Sequence, residues 1–105
     1  MDLRGKKLGV LISCPPDAPA FLHGLRMAEA AIKRGVNVYL YCIDEAVQGV
    51  GNPEVQKLKA SGLNLYACAY GAHKRHIALS DVATFAGLTV VNDLIVSTDR
   101  FVAFN

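Results

Sequence analysis

The residues in this chain with the widest chemical reach are its three cysteines, Cys14, Cys42 and Cys68. An odd number of cysteines without tight spacing suits neither a disulfide framework nor a zinc site, so they read as thiols in a reducing compartment. Only Cys68 has neighbours that suit a reactive thiol. The thiolate is the nucleophile, and a cysteine pKa of about 8.5 falls beside cations or at a helix N-terminus. The run Cys68-Ala69-Tyr70-Gly71-Ala72-His73-Lys74-Arg75-His76 offers both. It marks a strand-to-helix junction whose free N–H groups attract an anion, and it carries His73, Lys74, Arg75 and His76 as anion-stabilising candidates. The ordinary alternative is that Lys74 and Arg75 form a solvated helix end and that both histidines lie on the surface. Cys42, inside Tyr41-Cys42-Ile43, reads as a small core hydrophobe. Cys14, beside Pro15-Pro16, is divided between loop packing and lining the site.

The elements that must position these thiols follow from hydrophobic pattern and punctuation. Leu8 to Ser13 is an apolar run closed by the double proline, and it predicts the first strand. Asp17 then offers an N-cap and Pro19 an early helical proline. Phe21, Leu25, Ala28 and Ile32 share one helical face, and Gly35 stands where a C-cap glycine belongs. Val36 to Ile43 predicts a second strand. Asn52-Pro53 opens a short helix through Val55 and Leu58 that Ser61-Gly62 closes. Leu63 to Ala67 predicts a third strand ending at Cys68, after which Gly71 breaks the chain. Ser80 then caps a helix ending at Gly87, Leu88 to Val91 and Phe101 to Phe104 are the last strands, and Asn92 caps a short helix between them. Strands alternating with helices predict a parallel sheet with right-handed crossovers. All three cysteines then fall at strand C-terminal ends, the edge where open α/β folds bind ligands.

Composition narrows the function classes. At 105 residues the chain is expected to form one domain. A net charge of +2, with no long Lys or Arg run, argues against a polyanion partner and direct nucleic-acid binding. The apolar stretch after Lys6-Lys7 is too short for a signal peptide, and nothing approaches a membrane span, so a cytoplasmic protein is expected. More than half the residues are apolar. That surplus, heaviest at Leu88 to Val91, Leu94 to Val96 and Phe101 to Phe104, predicts an oligomer. Gly49-Val50-Gly51 lacks the strand-turn-helix setting of a dinucleotide loop. No metal or organic cofactor is expected.

The segment from Leu63 to Arg75 resembles the DsrE/DsrF-like (TusD/DsrE) sulfur-relay family, in which a strand delivers a cysteine and a basic pair follows six and seven residues later. The helix ending at Gly35, the strand leading to Asp44-Glu45-Ala46-Val47, and the ending Asp99-Arg100-Phe101-Val102-Ala103-Phe104 extend the resemblance over nearly the whole chain. It implies a three-layer α/β/α sandwich with a five-stranded mainly parallel sheet, DsrE/F-like, assembled as a trimer or hexamer. It also implies that Cys68 carries sulfane sulfur as a persulfide, with Lys74 and Arg75 as the basic pair. The implied partners are sulfur donor and acceptor proteins, TusA-like or DsrC/TusE-like, acting in sulfur metabolism or tRNA thiolation. Two departures stand out. His76 occupies the position where the family commonly has glycine, and the stretch between the second and third strands is shorter than in TusD.

In the mechanism so implied, the Cys68 thiolate attacks the terminal sulfur of a donor persulfide and later yields it to a partner thiol, following thiol–disulfide exchange logic. Cys68 is then expected to be partly accessible, with a helix N-terminus pointing at it. Two alternatives remain open. One is a non-catalytic oligomeric subunit or small-ligand binding module in which Cys68 only packs. The other is a dithiol redox protein pairing Cys68 with Cys14, which needs their Cα atoms within about 7 Å.

Overall fold

The computed structural model describes residues 2–105. Five strands alternate with helices in the order β1 (Lys7–Ile12), α1 (Pro19–Lys33), β2 (Asn37–Cys42), a 3-10 helix (Asp44–Gly49), α2 (Pro53–Ala60), β3 (Asn64–Cys68), α3 (Ala69–Lys74), β4 (Thr84–Ala86), α4 (Thr89–Ser97) and β5 (Arg100–Phe104). The sheet runs β4-β3-β2-β1-β5, and every pairing is parallel. The central strands are apolar on both faces because helices cover both. Val10, Ile12, Val38, Leu40, Tyr41 and Cys42 are all shut off from solvent.

Topology decides which helices lie where. From β1 to β4 each strand steps toward the same edge, so right-handed crossovers send the intervening helices to one face. There α1 packs so closely that a Cβ at Gly24 would meet the Ile12 and Phe104 side chains. The step from β4 back to β5 runs the other way and puts α4 on the opposite face. A Cβ at Gly9 would meet Phe101 and Thr98 there. That second face has one full helix, and Leu11, Tyr39 and Tyr66 on it are only half-buried.

Several helix ends follow the glycine and proline signals. Pro19 and Pro53 stand in the first turns of α1 and α2. Gly35, at φ 80°, ends α1 as Val36 N–H reaches back to Ala31 O at 3.0 Å. Asp17 is not the N-cap of α1. Ala18 holds that position, without a side-chain hydrogen bond.

The second half corrects four expectations. Ser80 to Gly87 forms no helix: its end is the short strand β4, whose Thr84-Phe85 pair is β-branched and aromatic. Leu88 to Val91 forms no strand, because α4 begins at Thr89, and Asn92 lies inside that helix rather than capping it. Val90, Val91 and Leu94 turn inward while Asn92, Asp93, Ile95 and Val96 face out, a helical spacing that outweighs the β preference of the valines and isoleucine. Gly71 lies within α3 rather than before a helix.

Candidate functional site

Cys68 is the last residue of β3 and the N-cap of α3. The chain turns directly from strand to helix there, and the Gly71 N–H donates to Cys68 Sγ at 3.3 Å. A sulfur in the N-cap position thus takes up one of the unpartnered amide donors of a helix start. Gly71 permits the tight approach: a Cβ there would lie 3.3 Å from Val47 Cγ2 and 3.5 Å from Cys68 Cβ.

The position of Cys68 in the sheet adds to this. After β3 the chain leaves toward the face of α1 and α2, where Gln56 of α2 donates to Val50 O and Val82 O and holds the returning segment. After β4 it leaves toward the face of α4. The carboxyl ends of β3 and β4 therefore flank the crevice where open α/β sheets take ligands. Cys68 and Ala86, register partners, stand at those two ends.

Register also separates the cysteines. Cys42 pairs with Ala67, so Cys68, one residue on, projects to the other face of the sheet. Cys42 is wholly buried on the α1 side, and burial first, then the neighbouring Cys14 thiol, pushes its pKa up to about 12. Cys14, itself buried, thus keeps company with Cys42. Cys68 instead shares its face with Tyr41, whose hydroxyl donates to Ala86 O at 3.0 Å. Burial first, then the charge and hydrogen bonding of the Cys68 sulfur, push the Tyr41 phenol above its usual range. Tyr41 was not among the residues singled out from the sequence. Its strand is a continuous apolar run buried on both faces, and nothing local reveals that Tyr41 reaches across β3 to β4.

The basic cluster is dispersed. In α3, Cys68 lies at the N-terminus while His73 and Lys74 lie in the last turn, about 7 to 9 Å away along the axis. There they complement the negative end of the helix dipole. His73, Lys74 and His76 are exposed, and among the described residues none makes a hydrogen bond or ion pair with Cys68. Arg75 folds back. Its Nη1 donates to Gly71 O at 3.2 Å, and its Nε donates to Glu45 Oε1 at 2.8 Å. Gln48 donates to the other oxygen of Glu45 at 2.7 Å. Arg75 thereby fastens the start of α3 to the 3-10 helix, with its charge matched by a carboxylate.

Beyond Arg75 opens a groove of about 620 Å³ lined by Val47, Gln48, Val50, Ile77 and Val82 among others, and Cys68 does not line it. Cys68 retains 6% of its surface, less than a partly accessible thiol would show. Among the described residues no three His, Cys, Asp or Glu side chains gather to hold a metal, and no helix is long and apolar enough to cross a membrane.

No protein-family profile matches the sequence, and no curated protein matches it. Solved structures do. The ychN protein from E. coli superposes with a TM-score of 0.83, covering 94% of this chain and 99% of its own, at 17% identity. The chain has the α/β fold of that protein. A conserved protein of unknown function from Bacteroides thetaiotaomicron superposes with a TM-score of 0.77 over 94% of this chain and 95% of its own, at 14% identity. Likeness to YchN at such identity bears on the fold alone. It agrees with the five-stranded parallel sheet expected from the sequence.

Proposed function

We propose that the chain is a sulfur-relay protein of the DsrE/TusD type that carries sulfane sulfur on Cys68. The observation that carries this reading is the Cys68 sulfur at the N-cap of α3, accepting the Gly71 N–H at the crevice between β3 and β4. In the transfer, the Cys68 thiolate attacks the terminal sulfur of a donor persulfide. The donor's S–S bond breaks as the new one forms, the donor leaves as a thiolate, and the proton stays on the transferred sulfur. The reverse sequence delivers that sulfur to an acceptor thiol. Helix N–H groups stabilise the negative charge on Cys68 before attack and after release.

Donor and acceptor would be small thiol proteins, TusA-like or DsrC/TusE-like, in the cytoplasm. Assembly into a trimer or hexamer fits the half-covered sheet face and the exposed Leu88, Ile95 and Val96. The near closure of Cys68 means that a partner must displace a neighbour to reach it. It equally favours a second reading, a non-catalytic subunit or small-ligand binding module that uses the groove beside Arg75. A redox pair of Cys68 with Cys14 has less support, because Cys14 neighbours Cys42 on the other side of the sheet.

Intact-mass analysis after incubation with a persulfide donor tests the proposal. Gain of one sulfur by the native protein and none by Cys68→Ser is the expected result. Sulfur gained equally by both proteins would overturn it, and a native protein that gains none would favour the binding module.

A further inference from the structure

The relay chemistry above makes no use of Tyr41, yet Tyr41 is the one wholly buried tyrosine among the described residues; Tyr39 and Tyr66 are half-buried and Tyr70 is exposed. A phenol inside a protein keeps its hydroxyl hydrogen-bonded. Tyr41 does so by an unusual route. It stands on β2, but its hydroxyl donates to Ala86 O on β4, so the ring spans β3. Ala86 is the register partner of Cys68, and Tyr41 and Cys68 project to the same face. The hydroxyl is therefore delivered to the end of β4 that stands beside Cys68, on the face to which the Cys68 sulfur projects.

We propose that the Tyr41 hydroxyl is a second hydrogen-bond donor to Cys68, turning from the Ala86 carbonyl to the sulfur whenever the sulfur carries negative charge. A phenol has a single hydrogen, so the two acceptors compete for it. While Cys68 is a neutral thiol, a weak acceptor, the carbonyl holds the donor. As a thiolate the sulfur becomes the stronger acceptor, because hydrogen bonds to ionised groups are roughly twice as strong. Ala86, only partly buried on an edge strand, can then take a hydrogen bond from water. The phenol keeps its proton throughout, since burial and an adjacent negative charge both oppose its ionisation. Other titratable groups nearby leave this role open: Arg75 and Glu45 neutralise each other, His73 and Lys74 lie at the far end of α3, and Cys42 projects to the opposite face.

For the persulfide anion the inference rests on the relay reading; for the thiolate it stands on the geometry alone. The test is the pH profile of Cys68 alkylation by iodoacetamide in the full chain, read by peptide mass spectrometry. Tyr41→Phe is expected to raise the midpoint by about one pH unit, with a roughly tenfold slower reaction near neutrality, as for loss of one hydrogen bond to a charged group. A fluorinated tyrosine at position 41, more acidic and a better donor, is expected to lower the midpoint. Loosening of β4 alone would speed alkylation at every pH without moving the midpoint. An unchanged midpoint in Tyr41→Phe, or fluorotyrosine moving it in the same direction as phenylalanine, would overturn the assignment, and the fluorotyrosine protein decides if Tyr41→Phe fails to fold. Failure of the relay reading shows separately: opposite midpoint shifts in a protein that takes up no sulfur would keep Tyr41 and discard the relay, while sulfur uptake with unmoved midpoints would do the reverse.

Discussion

Cys42 and Cys68 close neighbouring parallel strands, a single residue apart in register, and the pleat sends them to opposite faces of one sheet. Cys42 lies under α1, among the described residues no donor is directed at it, and burial holds it in the neutral form. Cys68 begins a helix, takes an amide N–H on its sulfur and stands beside a phenol. The two thiols differ little in exposure. What separates them is whether donors point at the sulfur, and the strand-to-helix turn decides that. Exposure alone would rank them almost equal, whereas the orientation of backbone dipoles does not.

The strongest way to break the contrast is to remove each sulfur in turn. Cys68→Ser is expected to abolish persulfide loading with fold and assembly intact, because its hydroxyl can accept the Gly71 N–H at the N-cap that serine favours. Loading that persisted on Cys14 or Cys42 in that variant would erase the distinction. Cys42→Ser is expected to leave loading intact and to cost roughly 1 to 3 kcal/mol of stability, since a buried hydroxyl there must find a partner. Chemical denaturation with and without sulfur loading separates the two outcomes.

The same contrast has a pH signature. In the folded state Cys42 keeps its proton up to about 12, against an ordinary value of 9.0. Between those values the unfolded chain has lost a proton that the folded chain retains, so stability falls as pH rises. The contribution is complete below pH 9.0 and is lost as pH approaches 12. Tyr41, shifted in the same direction, adds to the decline at the upper end. Cys42→Ala is expected to flatten the onset of the alkaline limb in urea titrations at stepped pH. An unaltered onset would place the buried thiol elsewhere in the energetics.

How legible each side was follows from the physics of its elements. The strands that end in Cys42 and Cys68, and the one that ends two residues before Cys14, are apolar runs between proline and glycine signals, and local sequence defines them to within a residue or two. The stretch from Ser80 to Ser97 is different. Its valines and isoleucine favour strands locally, yet the return from β4 to β5 across the sheet calls for a covering helix, and tertiary packing prevails. In the candidate site, Cys68 and its helix start were readable from the junction of strand and basic helix. The solvated helix end is the alternative reading for the basic cluster, and His73, Lys74 and His76 follow it; the return of Arg75 to Glu45 was not readable, because its partner lies 30 residues away in sequence. Tyr41 escaped notice because its contact spans two strands.

Arg75 sharpens the comparison by asking whether charge or backbone tunes Cys68. Arg75→Ala removes the bonds to Glu45 and Gly71 O from a side chain that is 19% exposed, and is expected to cost about 1 to 2 kcal/mol. It leaves the Glu45 carboxylate unmatched near α3, and alkylation of Cys68 near neutral pH is expected to slow several-fold. Lys74→Ala, at the exposed far end of the helix, is expected to change that rate by less than about twofold. Equal slowing by both variants would return the role to the basic pair as a unit.

The smallest expected effect compares the ends of two helices. Both α1 and α3 close with the same pair of reverse hydrogen bonds: Gly35 N–H to Ile32 O and Val36 N–H to Ala31 O in one, His76 N–H to His73 O and Ile77 N–H to Ala72 O in the other. Each requires a left-handed residue, Gly35 at φ 80° and His76 at φ 58°. Glycine adopts that conformation freely, whereas a residue with a Cβ gives up about 1 to 2 kcal/mol. Set against this, glycine adds roughly 0.4 to 1 kcal/mol of conformational freedom to the unfolded chain. His76→Gly is therefore expected to stabilise the protein by about 0.5 to 1 kcal/mol, seen as a higher urea midpoint with an unchanged slope. The imidazole is exposed beyond the end of α3, so the pH profile of Cys68 alkylation is expected to stay where it is. The reverse substitution at the other helix, Gly35→Ala, is expected to destabilise by a similar amount, since its Cβ would also press the Arg4 side chain. Should His76→Gly lower stability, or shift the alkylation profile, the side chain at this turn would have a role in the site, and the two helix ends would no longer be equivalent.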